Sequence, residues 1–362
     1  MTAGHRVPVG RQSGWRNCQD ATPRLLSVAT SPGSLAGRRA TRDVRDFSSS
    51  CSSLRQPIWQ GGDRGVRPGS DRARFGHHVR VTSDIQRESR PIRLDAPAKL
   101  NLSLRVVGRR DDGLHALDSH FVLLELADRL LLMPGANGLR VEGEGIGELP
   151  LGPDNLAWRG LAAGLGGPPE VACLTLEKRV PAAAGLAGGS SDAAAAWRLG
   201  RRWAGRIDHP DADDLAELAR IGADVPFFVS GAASARVTGI GERIDHLEPS
   251  HLEIVLVHPP FGLSTRAVFD ELRPDEWGTR ENDLLGPAIR LRPELEDLFA
   301  MVADAGGEPR LTGSGPTIFH VADDATDASS LADRLTRAGL RVTHTRTRSI
   351  PPTIEAIEEE LE

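Results

Sequence analysis

The chain has 362 residues, 39% hydrophobic and 26% charged, with a formal net charge of −6 at pH 7, the balance of a globular protein with apolar material enough for two domains. No run approaches the ~20 consecutive apolar residues of a membrane span, and Cys18, Cys51 and Cys173 have neither disulfide-framework nor metal-ligand spacing. Fibrous, membrane-spanning and disulfide-stapled classes are thereby excluded, no protein metal cluster is expected, and the cytoplasm is the default compartment.

Residues 1–90 carry 16 Arg against 7 Asp and Glu and no sustained periodicity, so they read as a disordered Arg/Ser/Gly-rich extension. A segment of this kind suits a nucleic-acid arm, an organelle-targeting sequence or a plain solvated tail. The tail is the default; no site is assigned there, and nucleic acid is not expected as a partner. The remaining chain is acidic, about −15 over residues 91–362.

The folded region begins with a period of two from Ile92 to Val107, which predicts a strand pair or one long bent strand. Further strands are expected at Phe121–Leu126, Arg129–Met133 and Val171–Leu176, as a mostly antiparallel sheet. Ser190-Ser191-Asp192 signals a helix start, with strong helix formers from Ala193 to Trp203. A helix over Asp213–Ile221, strands near Ala233–Val237 and Glu253–His258, a helix over Leu291–Ala305, a strand at Thr317–Val321, a helix at Ser329–Ala338 and a strand at Arg341–Arg346 complete an α+β succession.

Pro181-Ala182-Ala183-Ala184-Gly185-Leu186-Ala187-Gly188-Gly189-Ser190-Ser191 is a small-residue loop that follows a strand-like segment holding Lys178 and opens into a helix. Backbone N–H groups of such a loop can close around phosphate oxygens, with the helix N-terminus adding partial positive charge. A flexible turn before a helix would look the same in isolation. A Walker loop is excluded, because neither lysine follows its glycines. Of the 44 basic residues only Lys99 and Lys178 are lysine, so each marks a place where a compact ammonium on a flexible stem is wanted.

The pattern Pro-x-x-x-Gly-Leu-x-x-Gly-Ser-Ser resembles the ATP-binding motif of the GHMP kinases. Pro97-Ala98-Lys99-Leu100-Asn101-Leu102 and Gly108-Arg109-Arg110-Asp111-Asp112-Gly113-Leu114-His115 are similar to signatures of the branch that phosphorylates a cytidine diphosphate conjugate of methylerythritol. Gly222-Ala223-Asp224-Val225-Pro226-Phe227 resembles a further segment of that branch, and Leu311-Thr312-Gly313-Ser314-Gly315-Pro316 the third GHMP motif. The four stand in order over roughly residues 91–348.

The resemblance implies a two-domain GHMP kinase fold. An S5 domain 2-like N-terminal domain would span 91–247 and hold the ATP loop, and a ferredoxin-like C-terminal domain would span 248–362. It implies transfer of the ATP γ-phosphoryl group to a hydroxyl of the small-molecule acceptor, with Mg2+ bridging the phosphates. Asp224 would take the hydroxyl proton and Lys99 would hold that carboxylate ionised. Lys178 and residues 181–191 would bind ATP. Asn101 would hold the reacting end, His115 the cytosine, and Thr265 and Phe269 would contact the acceptor. A monomer or homodimer is expected.

Two positions depart from the family pattern. Leu114 replaces a tyrosine, making one wall of the base site aliphatic, and Ala187 replaces a glycine, which is costly if the loop needs the left-handed region there. Another GHMP acceptor (mevalonate or homoserine type) and a non-catalytic GHMP-fold binding protein remain open as alternatives.

Overall fold

The computed structural model describes residues 90–135, 138–143, 149–169 and 172–357, so the expected extension, apart from Arg90, lies outside the described residues. Strands β1 (Ile92–Arg109) and β2 (His115–Pro134) form a long antiparallel hairpin in which Lys99 pairs with Leu123 and Asn101 with Phe121. Register shifts between Pro97 and Lys99, Asn101 and Ser103, and Val106 and Gly108 allow it to bend, as bulges do. The two strands expected at Phe121–Leu126 and Arg129–Met133 are a single one. Ala127 and Asp128 stay in register with Pro97 and Ala96, because Asp128 is buried with its carboxylate fully used.

Strands β3 (Gly138–Gly143) and β4 (Ala172–Lys178) pair in parallel, and β4 pairs antiparallel with β2. Strands β5 (Ser234–Gly239) and β6 (Arg243–His246) branch from β2. A second, four-stranded antiparallel sheet has the order β10-β7-β9-β8, from β7 (Glu253–Val257), β8 (Arg310–Leu311), β9 (Ile318–Ala322) and β10 (Val342–Arg346). The chain then returns to the first sheet, where β11 (Glu355–Ala356) pairs with Ile92 and Arg93.

Helix α1 (Leu156–Leu165) starts where Asn155 Oδ1 accepts the Ala157 N–H at 2.9 Å, a side-chain cap. It packs backbone to backbone on α2 (Gly188–Trp203): a Cβ on Gly160 would lie 2.1 Å from the Ala193 carbonyl oxygen. Ala187, at φ 52°, is the N-cap of α2, and no side chain caps it. Ser190, Ser191 and Asp192 therefore lie within the first turns of the helix rather than before it.

Helices α3 (Ala212–Ile221) and α4 (Val225–Val229) follow, the first opened by an Asp211/Asp214 capping box. In the second half come α5 (Thr265–Glu271), α6 (Leu285–Leu291), α7 (Glu294–Asp304) and α8 (Ala325–Arg337). The helix expected over Leu291–Ala305 is α7, which starts three residues later, at Glu294, because Leu291 closes α6 and Pro293 is the N-cap. Arg292, before Pro293, leaves the helical region at φ −140°, ψ 83°, as pre-proline sterics favour.

Three core clusters fix these layers. Ile92, Leu94, Leu130, Leu174 and Leu176 of the first sheet pack on Trp158, Leu161, Leu199 and Trp203 of α1 and α2. Val255, Val257 and Ile318 of the second sheet pack on Val268, Leu284, Leu295, Leu331 and Leu335. Leu100, Val122 and Leu124 meet Ile254, Leu256 and Phe319, and Val180, Ala184 and Leu186 of the small-residue loop are sealed among them. At ~1.5–3 kcal/mol for each fully buried aliphatic side chain, this third cluster anchors the loop to both sheets.

Candidate active site

Lys99 stands at the centre of the β1/β2 hairpin, its side chain only 5% exposed, with Nζ 3.6 Å from Oδ2 of Asp224, which is 28% exposed. Nζ also donates to Asn101 Oδ1 at 2.5 Å and lies 4.4 Å from the centroid of the Phe121 ring. Burial lowers the Lys99 pKa from its ordinary value, and Asp224 opposes that. Asp224 occupies the N-cap of α4 but makes no cap bond, leaving its carboxylate to Lys99 and solvent. Asn101 is buried: its Nδ2 donates to Ser119 Oγ at 2.9 Å and its backbone N–H to Thr312 Oγ1 at 3.0 Å. Its amide is thus spent on Lys99 and Ser119, which makes Asn101 a brace for the ammonium.

The small-residue loop closes over this point. The Lys99 N–H donates to the Leu186 carbonyl at 3.1 Å, and the Thr317 N–H to the Ala184 carbonyl at 3.4 Å. Gly185 and Gly313 meet backbone to backbone. A Cβ on Gly185 would lie 2.6 Å from the Thr312 carbonyl oxygen, and one on Gly313 would lie 2.8 Å from the Gly185 carbonyl oxygen. The third glycine turn is held from behind by Asn282, whose Nδ2 donates to the Leu311 and Gly313 carbonyls at 2.8 and 2.9 Å. Ala182 and Ala183 form the exposed lip of the loop beside the half-buried Pro181, while Gly188, Gly189, Ser190 and Ser191 belong to the first turn of α2. Ser191 Oγ and Asp192 Oδ1 are buried there without a hydrogen-bond partner, and buried polar atoms seldom lack one.

Lys178 lies beneath the loop, its side chain 4% exposed, bridging Asp128 Oδ2 and, at 2.8 Å, Asp192 Oδ2. Asp128 Oδ1 also accepts the Arg179 and Val180 N–H groups at 2.6 and 2.8 Å. Burial works to lower the Lys178 pKa, but Asp192 and Asp128 together raise it, so it stays an ammonium. Burial, aided by Asp128, pushes Asp192 well above the usual carboxylate range against the pull of Lys178. Two acids share one buried cation, and Asp192 is the less well satisfied of them, since its Oδ1 has no donor.

A continuous line of contacts leads from this centre to the tip of the hairpin. Gly313 approaches Asn101, and its neighbour Ser314 shares a 2.9 Å hydrogen bond with Thr265. Thr265 begins α5, and Phe269 follows one turn later on the same helical face. The Phe269 ring stacks on His115 at 5.4 Å and 23°, and Trp277 meets His115 edge-on at 5.8 Å and 83°. Burial first and Arg109 second lower the His115 pKa, with Asp270 opposing, so the imidazole is neutral at pH 7. Leu114 beside it is 51% exposed.

Phe121, Ser119, Thr312, Asp128 and Trp277 are not foreseen from the sequence. Only Thr312 carries a sequence signal, as a member of the third glycine motif; the others are lone residues whose partners are distant in the chain. Two open recesses of about 350 and 530 Å3 lie near Arg348–Thr353 and along β10, and no expected site residue lines either. Among the described residues no helix is long and apolar enough to cross a membrane.

A phosphate-type loop sealed between two sheets, a second glycine turn locked onto it and a buried Lys–Asp pair alongside are the arrangement of the GHMP kinases. Residues 155–232 match the family described as GHMP kinases N terminal domain, and residues 269–341 match GHMP kinases C terminal. The chain is 40% identical over 276 residues to the 4-diphosphocytidyl-2-C-methyl-D-erythritol kinase of Dinoroseobacter shibae, covering 68% of this chain and 91% of that protein. It is 37% identical over 262 residues to the Thermus thermophilus kinase of the same name, covering 66% and 91%. A solved 4-(cytidine 5'-diphospho)-2C-methyl-D-erythritol kinase superposes with a TM-score of 0.58 at 34% identity, covering 70% of this chain and 98% of that one. A mevalonate kinase structure at 10% identity and TM-score 0.53 shares the fold alone. Within the GHMP kinases, the chain belongs to the 4-diphosphocytidyl-2-C-methyl-D-erythritol kinase family.

Proposed function

We propose that this protein transfers the γ-phosphoryl group of ATP to the 2-hydroxyl of 4-diphosphocytidyl-2-C-methyl-D-erythritol, a step of the non-mevalonate route to isoprenoid precursors. The observation that carries the chemistry is the Lys99–Asp224 pair. It combines a buried ammonium with a carboxylate open on one side to solvent, beside a loop whose backbone curls at a helix N-terminus.

Asp224 accepts the hydroxyl proton as the oxygen attacks the γ-phosphorus. The new O–P bond forms, the bond to the β-phosphate oxygen breaks, and ADP leaves. Lys99, fixed by Asn101 and by the Phe121 ring, neutralises charge that develops on the attacking oxygen and the transferring group. The loop from Pro181 to Ser191 holds the ATP phosphates. Lys178 acts from below, pinning β4 to β2 through Asp128 and to α2 through Asp192.

Mg2+ is held largely by substrate phosphates and water, with one or two protein oxygens. The donor set fits that sparse demand: the buried, unpartnered Ser191 hydroxyl would hold the ion, which when bound neutralises phosphate charge. His115 and Phe269 receive the cytosine, and Thr265 orients the acceptor beside the third glycine turn. We divide the chain into N-terminal (91–247) and C-terminal (248–362) domains, with the Glu355–Ala356 strand crossing back to the first sheet. In this reading the protein is a cytoplasmic monomer or homodimer.

ADP release by the full-length protein with ATP, Mg2+ and 4-diphosphocytidyl-2-C-methyl-D-erythritol tests the assignment. Turnover with this acceptor and none with mevalonate or homoserine is expected; the reverse pattern would keep the fold and overturn the acceptor.

A further inference from the structure

Trp277 follows a 3-10 turn at Pro274–Glu276, and the residues on both sides of it are tied down. Arg290 Nη1 and Nη2 donate to the two Glu276 carboxylate oxygens at 2.8 Å each. The Gly278 N–H donates at 2.7 Å to Oδ2 of the fully buried Asp283. Between these anchors the indole meets the His115 ring edge-on while Phe269 covers the ring's face. The Trp277 Nε1–H is buried without a hydrogen-bond partner. A buried indole N–H normally finds an acceptor, so this ring is held in place for the surface it presents, at the expense of its polar atom. Next to His115 the hairpin offers only the exposed, aliphatic Leu114, so the second aromatic surface against the imidazole comes from another part of the chain.

We propose that Trp277 is a positioning residue of the acceptor site, bracing the His115 ring against Phe269 so that one ring orientation faces the base. The inference rests on the reading of His115 as a base-contacting residue. An imidazole at the end of a hairpin has several accessible rotamers; a face contact on one side and an edge contact on the other leave one. Trp277 acts through His115 and not on the reacting atoms, so its loss weakens acceptor binding and leaves the chemical step alone.

The test is steady-state kinetics of full-length Trp277→Leu, Trp277→Phe and His115→Ala, and of the Trp277→Leu/His115→Ala double variant. Trp277→Leu is expected to raise KM for the acceptor about threefold to tenfold, the range one aromatic pair supplies, with kcat and KM for ATP within about twofold. Trp277→Phe, which keeps an aromatic edge, is expected to stay within about twofold throughout. In the double variant the Trp277→Leu effect should vanish, because its only target is gone. Additive effects in the double variant, an equal rise in KM for ATP, or an unchanged acceptor KM in Trp277→Leu would each overturn the proposal. Should Trp277→Leu not fold, a Trp277→Phe variant with a several-fold higher acceptor KM overturns it alone. An unchanged acceptor KM in His115→Ala removes the His115 reading and this inference together; a raised KM there beside an unaffected Trp277→Leu removes this inference only.

Discussion

Replacing Ala187 by glycine should stabilise the protein, because Ala187 is held at φ 52°, in the left-handed region, where it caps α2. A non-glycine residue there costs about 1–2 kcal/mol, and the greater freedom of glycine in the unfolded chain offsets about 0.4–1 kcal/mol of the relief. Ala187 is only half-buried, so little packing is lost, and the net gain is about 0.5–1 kcal/mol, or roughly 1–3 °C in Tm. Ala184 in the same loop is the control. It is buried among Val180 and Leu186 and has no positive φ, so Ala184→Gly should lower stability by roughly 1–2 kcal/mol through the lost methyl and the freer unfolded chain. Thermal denaturation of both variants, with and without ATP, reads the pair. An Ala187→Gly variant no more stable than the parent, beside a destabilised Ala184→Gly, would refute the left-handed cap.

The buried triad makes contrasting predictions: Lys178→Met and Asp128→Asn should each cost about 3–5 kcal/mol in chemical denaturation, since each breaks a buried charge cluster. Asp192→Asn should cost less than either, because Asp192 is the less well satisfied acid, with Oδ1 unpartnered, and an amide oxygen still accepts from Lys178. Glu276, paired with Arg290, has its pKa lowered from 4.5 to about 2. A depressed carboxylate stabilises the fold above its unfolded pKa and loses that contribution as pH falls through its folded pKa. Glu276→Gln should therefore be less stable than the parent by about 1 kcal/mol above pH ~5, after allowing for solvent screening. The gap should close towards pH 2 in acid-denaturation curves, and a gap that persists there would count against the pairing. Leu114→Tyr should lower KM for the cytidine conjugate by about twofold to tenfold by adding an aromatic wall, seen in the same ADP-release assay; no change would mean that the base does not reach residue 114.

The sequence-level expectations reach furthest where local pattern and structure share a cause. The alternation from Ile92 and the small-residue loop before Ala193 are local signals, and both become the elements expected. The start of α2 is misplaced by the serines at 190 and 191: they look like caps, yet the true cap is Ala187, an alanine in the left-handed region. The start of α7 at Glu294 is missed because the expected helix runs through Pro293, whose fixed φ suits a helix start and not an interior, and α1 hides in a run of Gly, Ala and Leu with no clear period. Lys178 was found through the scarcity of lysine, but its partners Asp128 and Asp192 lie 50 and 14 residues away. Asn101 matched a motif, and only the fold reveals that its amide serves Lys99. Trp277 carried no signal, because its meaning depends on His115 arriving from the far end of another element.

The most direct test of the central claim is the rate at which Asp224→Asn phosphorylates 4-diphosphocytidyl-2-C-methyl-D-erythritol at saturating ATP and Mg2+, with the product followed by phosphorus NMR. Loss of a positioned general base predicts a fall in kcat of about 10²–10⁴-fold, with both KM values and the melting temperature close to those of the parent. A variant that retained the parent kcat would contradict proton transfer to Asp224 and the active site built around it.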